Sequence, residues 1–344
     1  MTITNFEKQT SSIGRYTPAP SLFARVFQNR YAGALISLLL VGLFLSLTQP
    51  VFLTWPNMMN IVKSNSVVFV LALGATYVVI SGGVDLSVAS ATAASAMVFG
   101  LILTTGASAP VAIVAALLFG AFLGALNGIA ISYFKISFFV VTLGTLSMFQ
   151  SFSLIINEGA SVSVFSTPGF KPLNAFVNGH IGPFPVIMVF DLALLLIAGG
   201  ILRFTAFGRA LYAIGSNAEA ARLNGINVKR TILIVFIIAG LMAGLSSLVQ
   251  VGRLTSASAD IDPTLLMTVL AAVLIGGTAF TGGEGGVLGT MIGVLFLGVV
   301  QNGLTLSGVS SFWQGMVSGG ILILAVWLGG LRQLLRRRRQ SAVE

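Results

Sequence analysis

Several apolar runs in this chain are long enough to cross a bilayer, and that limits the fold more than any motif does. Residues 31–48, 61–80, 138–157, 231–251 and 287–306 carry few charges, and each is near the roughly 20 residues that span about 30 Å of hydrocarbon. Inside hydrocarbon the backbone must pair with itself, which leaves helices or closed barrels. Barrel strands alternate polar and apolar over short segments, and unbroken runs of this length do not fit that pattern. The expected fold is all-α, a polytopic helical membrane protein. Composition agrees: 56% of residues are apolar, 8% are charged and 40 of the 344 are glycine, a balance that soluble domains rarely show.

The same composition excludes several kinds of chemistry. Cysteine is absent and His180 is the single histidine. Disulfides, thiolate metal sites, cysteine nucleophiles and histidine-centred triads are therefore ruled out. No GxxxxGK[ST] loop occurs, so the chain has no phosphate cradle of that type for ATP. The net charge of +9 could suggest nucleic acid. Most of it lies in tails and loops beside the apolar runs, so membrane orientation is the simpler cause.

About ten transmembrane helices are expected, over 31–48, 61–80, 87–104, 110–133, 138–157, 186–203, 231–251, 264–280, 287–306 and 312–331. Residues 1–30 form an N-terminal tail. Residues 31–331 form the membrane domain, with a polar loop at 204–230, and residues 332–344 form a basic C-terminal tail. With both tails in the cytoplasm, fifteen of the 18 basic residues fall inside, leaving Lys63, Lys171 and Arg253 outside. That asymmetry orients the chain. The loop at 204–230 is then cytoplasmic and the Pro-rich loop at 158–185 external.

Two segments interrupt the apolar pattern with specific chemistry. The first is Ser81-Gly82-Gly83-Val84-Asp85-Leu86-Ser87, which reads as a tight break near membrane depth. Asp85 is placed to cap the following helix by accepting from its free N–H groups; direct contact with a solute is the other reading. Gly276 and Gly277 are glycine breaks of the same kind. Asp191, an acid within a span, is a functional candidate by residue type or an interfacial residue near the span end.

The second is the stretch 207–230. Asn217 supplies N-cap chemistry, Ala218 to Leu223 are good helix formers, and Asn224-Gly225 stops the run. A short surface helix of about two turns is expected. It is either a solvated loop obeying charge asymmetry or a contact element for a partner. Elsewhere Asp262-Pro263 reads as an N-cap followed by proline at the first helical position.

The apolar blocks carry neutral polar side chains rather than charges, among them Asn65, Thr142, Gln150 and Asn302. A path lined by such groups suits a neutral, hydroxyl-rich solute better than an ion. Most such groups are expected to serve as hydrogen bonds between helices. No carboxylate cluster marks an ion-coupled mechanism, so an energy source outside the chain is expected. Asn127-Gly128 and Asn302-Gly303 close two spans in similar six-residue strings. An inverted five-plus-five repeat and chance similarity both account for them.

Four motifs in order carry a resemblance: Ser81 to Val88; Gly208-Arg209 with Tyr212-Ala213-Ile214-Gly215; Glu219-Ala220-Ala221-Arg222-Leu223 with Gly225-Ile226; and Ile275-Gly276-Gly277-Thr278. Over about residues 52–331 the chain resembles the permease subunits of ribose-type bacterial ABC importers for monosaccharides. The resemblance implies that 217–227 is a coupling helix docking in a groove of an ATP-binding subunit. Asn217, Glu219, Ala220, Ala221, Arg222, Gly225 and Ile226 would then be the coupling residues. It also implies a second permease chain forming a homodimer in the inner membrane, a periplasmic solute-binding protein, ATP bound by the partner ATP-binding subunit, and no cofactor or metal on this chain. Gln150 stands where such permeases commonly have Arg. A nucleoside or autoinducer-like solute on the same scaffold, or a self-contained secondary transporter, are the alternatives.

Overall fold

The computed structural model describes residues 31–260 and 262–341. The expected tail at 1–30 and the last residues of the C-terminal tail lie outside these. Among the described residues the chain forms thirteen α-helices. They are α1 (Ala32–Thr48), α2 (Trp55–Ile80), α3 (Val88–Thr104), α4 (Ala109–Ser132), α5 (Phe138–Ile155), α6 (Lys171–Asn178) and α7 (Val186–Phe204). There follow α8 (Ala206–Ser216), α9 (Ala218–Leu223), α10 (Val228–Leu254), α11 (Pro263–Ile275), α12 (Val287–Leu306) and α13 (Ser311–Ser341). Helices α2, α4, α5, α7, α10 and α12 are long and apolar enough to cross a membrane, and four further apolar helices are shorter.

Helix α2 is the centre of the bundle. Every residue from Asn65 to Ile80 except Val68 is buried. Polar side chains tie it to its neighbours. The Thr76 and Thr290 hydroxyls lie 2.6 Å apart between α2 and α12. Ser246 of α10 donates to the Val67 carbonyl at 3.0 Å, and the Tyr77 hydroxyl donates to the Ala198 carbonyl of α7 at 2.8 Å. Lipid tails are as apolar as leucine, so packing and such bonds, rather than water exclusion, hold helices together in a bilayer.

The α4–α10 seam is packed through glycine. Gly120, Gly124 and Gly128 on α4 recur every four residues, as do Gly240 and Gly244 on α10, which puts each set on one helix face. A Cβ at Gly124 would run into the Phe236 carbonyl, and one at Gly240 into the Gly120 carbonyl. Only glycine lets the two backbones meet at this distance.

Several features differ from the sequence expectation, among them that α13 runs on to Ser341 through the basic stretch expected as a tail. Helix α11 stops at Ile275 rather than 280, because Gly276-Gly277 ends it. Its 13 residues cover only about 20 Å at 1.5 Å per residue. Helix α2 starts at Trp55, six residues early, with Pro56 in its first turn, where proline's missing N–H costs nothing. The Pro-rich loop is not featureless. It holds α6, a hairpin of β2 (His180–Ile181) with β3 (Phe184–Pro185), and β1 (Val162–Ser163), which pairs antiparallel with β4 (Ser256–Ala257). Phe170, Leu173 and Val177 from this loop pack into a second apolar cluster with Phe99 and Leu103 of α3.

The two Asn-Gly strings lie 175 residues apart (302 minus 127). The same spacing carries Val88 at the start of α3 to Pro263 at the start of α11. It takes the end of α2 to within one residue of the end of α10, and the start of α5 to within two of the start of α13. The helix succession α2–α5 is thus repeated in α10–α13.

Candidate functional site

The polar stretch 204–230 folds as two helices, not one. Residues 206–216 form α8, whose Gly208, Leu211 and Ile214 are buried. Thr205 caps it, its hydroxyl accepting from the Gly208 N–H at 3.1 Å. One extended residue, Asn217, joins α8 to α9. Its Oδ1 accepts from the Ala220 N–H at 3.0 Å, which supplies a partner for one of the free N–H groups at a helix start.

The far end of α9 is closed by backbone geometry. The Gly225 N–H donates to the Arg222 carbonyl and the Ile226 N–H to the Ala221 carbonyl, at 3.0 and 3.1 Å. This nested pair is the Schellman stop, which needs a left-handed residue, and Gly225 has φ +83°. Asn227 then caps α10, accepting from the Arg230 N–H. The helix is therefore capped at both ends by its own sequence.

Of the six residues in α9 only Ala221 is buried. Glu219 and Arg222 pair on its outer face, with Arg222 Nε donating to Glu219 Oε2 at 3.0 Å; their side chains are 65% and 63% exposed. The hydrogen bond from Arg222 holds the Glu219 carboxyl below the usual range and raises the guanidinium in turn. A cavity of about 860 Å³ opens between α9, the α4–α5 turn and the start of α10, lined among others by Lys135, Ile136, Phe138, Glu219, Arg222 and Lys229. The Lys229 ammonium lies over the Tyr133 ring.

The two glycine-rich turns are built like the end of α9. After α2 the Gly82 and Gly83 N–H groups donate to the Val79 and Val78 carbonyls. After α11 the Gly277 and Thr278 N–H groups donate to the Leu274 and Val273 carbonyls. Gly82 and Gly277 take the left-handed conformation, as Gly225 does. Gly276 lies against the α12 backbone at Gly289. Buried Asp85 accepts from the Ser87 N–H at 2.8 Å and the Ser87 hydroxyl at 2.6 Å. It therefore fastens the residue before α3 rather than the first N–H groups within that helix. Asn127 of α4 donates to the same Ser87 hydroxyl at 2.9 Å.

The four polar residues read from sequence as a solute path are spread through the bundle. Asn302 and Asn57 exchange amide hydrogen bonds at 2.8 and 3.0 Å, joining α12 to α2. Asn65 donates to the Ile61 carbonyl and packs against Gly298. Thr142 donates back to the Phe138 carbonyl at 2.8 Å, and Gln150 is half-buried on α5. Asp191 is buried and accepts from Ser66 at 2.8 Å. None of these lines the cavity beside α9. Nor do they line a second cavity, of about 520 Å³, bordered by Trp55, Asn60, Lys63 and His180. Sequence reasoning missed Asn57, whose partner is 245 positions away. It also gave Tyr212 no contact; its hydroxyl donates to the Gly285 carbonyl at 2.9 Å.

A helical bundle of this kind, charge-poor inside and carrying a self-capped polar helix, is the build of a polytopic membrane protein. Residues 57–326 match the family described as branched-chain amino acid transport system / permease component, and the chain belongs to that family. It is 35% identical over 300 residues to ribose import permease protein RbsC of Escherichia coli (strain K12), covering 87% of this chain and 94% of the relative. It is also 35% identical over 307 residues to the D-allose transport system permease protein AlsC of the same strain, covering 89% and 93%. With galactose/methyl galactoside import permease protein MglC of Haemophilus influenzae it shares 30% over 316 residues, covering 86% and 93%. No solved structure matches the chain. Membership makes this chain a transport component rather than an enzyme.

Proposed function

We propose that the chain is the membrane-spanning subunit of an ABC importer for a monosaccharide or a related neutral polar solute. Three relatives that match along almost their whole length are named for import or transport of ribose, allose and galactose. The observation that carries the energy-coupling part is α9. A six-residue helix has little intrinsic stability, yet this one is sealed at both ends and leaves five of its six residues uncovered. That is the build of a preformed knob for a partner's groove. The partner is an ATP-binding subunit, and its closure on ATP displaces α9.

In this reading 204–230 and both termini face the cytoplasm, following the basic-residue asymmetry. A periplasmic solute-binding protein delivers the solute to the opposite face, and a second permease chain completes the path. The path holds solute weakly, because a conduit must release what it takes up. It runs past neutral polar groups such as Asn65, Thr142, Gln150 and Asn302.

Uptake into proteoliposomes holding this chain with its ATP-binding subunit and binding protein tests the reading. Labelled D-ribose, D-allose and D-galactose serve as probes. ATP-dependent accumulation of at least one supports it. Accumulation by this chain alone, driven by an ion gradient and indifferent to ATP, would replace it with a secondary transporter.

A further inference from the structure

Three backbone segments converge next to α9, and none of their contacts follows from the coupling helix itself. They are the turn after α2, the end of α8 and the loop at 276–286. The Gly283 N–H donates to the Ile80 carbonyl at 2.9 Å, joining the turn to the loop. Gly215, in the last turn of α8, sits against that bond. A Cβ there would collide with both the Ile80 carbonyl and the Gly283 nitrogen. Gly282 packs on Gly82, where a Cβ would lie 2.7 Å from its Cα. Tyr212, one turn back on α8, holds the same loop through the Gly285 carbonyl. Phe138 covers Gly83 and stacks on Phe236 of α10, ring centroids 6.0 Å apart.

We infer that this glycine junction is the joint through which movement of α9 reaches the bundle, with Gly215 and Tyr212 as its positioning residues. The inference rests on the importer reading above. Only Asn217 separates Gly215 and Ser216 of α8 from α9, so a displacement of α9 is passed to Gly215 with little slack. Gly215 touches a hydrogen bond that ties the α2–α3 break to the α11–α12 break. A shift there acts on four helices at once, two from each half of the repeated succession. Side chains would cushion such a shift; backbone in direct contact with backbone does not, because close-packed contacts switch between arrangements rather than deform smoothly.

The test uses the full complex of permease and ATP-binding subunit in nanodiscs. The natural chain has no cysteine, so nitroxides can be placed at Phe139→Cys on α5 and Phe280→Cys in the loop, both exposed positions. Pulsed electron resonance then reads their separation before and after trapping ATP with vanadate. The parent is expected to show a nucleotide-dependent shift. In Gly215→Ala the ratio of shifted to unshifted population should fall about tenfold, within the range for residues that carry coupling, while ATP hydrolysis continues. Tyr212→Phe removes a single hydroxyl and should give a smaller fall, so it decides the matter where Gly215→Ala does not assemble. Gly200→Ala, whose Cβ meets nothing within 4 Å, should behave as the parent. A full shift in Tyr212→Phe and in any Gly215→Ala complex that assembles overturns the joint and leaves the importer reading standing. A parent complex that lacks the ATP-binding subunit overturns the importer reading itself.

Discussion

The α4–α10 seam and α9 are both built from small residues, yet they are opposites. In the seam, glycines on two helices press backbone against backbone, and the added volume of one methyl group has nowhere to go. In α9, alanines and one ion pair stand in the open, with a single side chain buried. Small residues in the seam fix the distance between helices; on α9 they leave a low, smooth surface. Substitutions should therefore damage folding in the first region and association in the second.

The largest effect should come from the seam. Gly124→Leu places a branched side chain against the Phe236 carbonyl and should cost about 3 kcal/mol or more, at the upper end for overpacking. Thermal unfolding in detergent should show little or no folded protein. A stable Gly124→Leu chain would mean that the seam opens without penalty, and the contrast with α9 would dissolve.

Next comes the double charge reversal Glu219→Arg with Arg222→Glu. The pair can still form, and exposed ion pairs are worth little, so stability should stay within about 0.5 kcal/mol of the parent. ATP-dependent uptake should nevertheless fall by more than about tenfold, the scale of a lost interface contact near 1.4 kcal/mol. Unaltered uptake would make α9 an ordinary solvated loop.

Asn57→Ala should be milder. It leaves the half-buried Asn302 amide without its partner and should lower stability by about 1 kcal/mol, read as a lower melting temperature. Asn217→Ala removes only the cap of α9 and should cost about 1 kcal/mol of local helix stability, visible as faster amide exchange at Ala220 with no change in melting.

The smallest effect concerns pH. The Glu219 carboxyl is held below its ordinary value by Arg222. Its contribution is complete above the ordinary carboxylate range and is lost only as pH falls through the lowered value. Binding of the ATP-binding subunit should thus be flat between about pH 8 and 6. A midpoint inside that window would mean that another group governs the contact.

Local chemistry made much of this legible in the sequence. Asn217, Asn224 and Gly225 announce both ends of α9, and Asp262-Pro263 announces α11, where the Asp262 carboxylate accepts from the Thr264 N–H at 2.8 Å. The apolar runs announce the spans. Helix α8 was hidden because Arg209 and the helix-disfavouring Gly208 and Gly215 made the stretch read as loop, which masked the spacing of Gly208, Leu211 and Ile214, the residues it buries. The end of α11 was overrun because Ala279 and Phe280 continue the apolar character past Gly276-Gly277, and hydropathy does not register a left-handed turn. The Asn57–Asn302 pair and the contacts of Gly215 depend on which helices become neighbours, and no local pattern encodes that. The 175-residue spacing was visible only as two Asn-Gly strings until the helix bounds were known.

The central claim is that α9 docks an ATP-binding subunit, and its most direct measurement is purification of the tagged chain from its native host in mild detergent. Mass spectrometry then identifies what accompanies it. The account predicts that an ATP-binding protein co-purifies with the parent chain and is lost from the Glu219/Arg222 double reversal, while the reversed chain remains folded. Retention of that protein by the reversed chain, or its absence from the parent under conditions that keep other transport complexes intact, would contradict it.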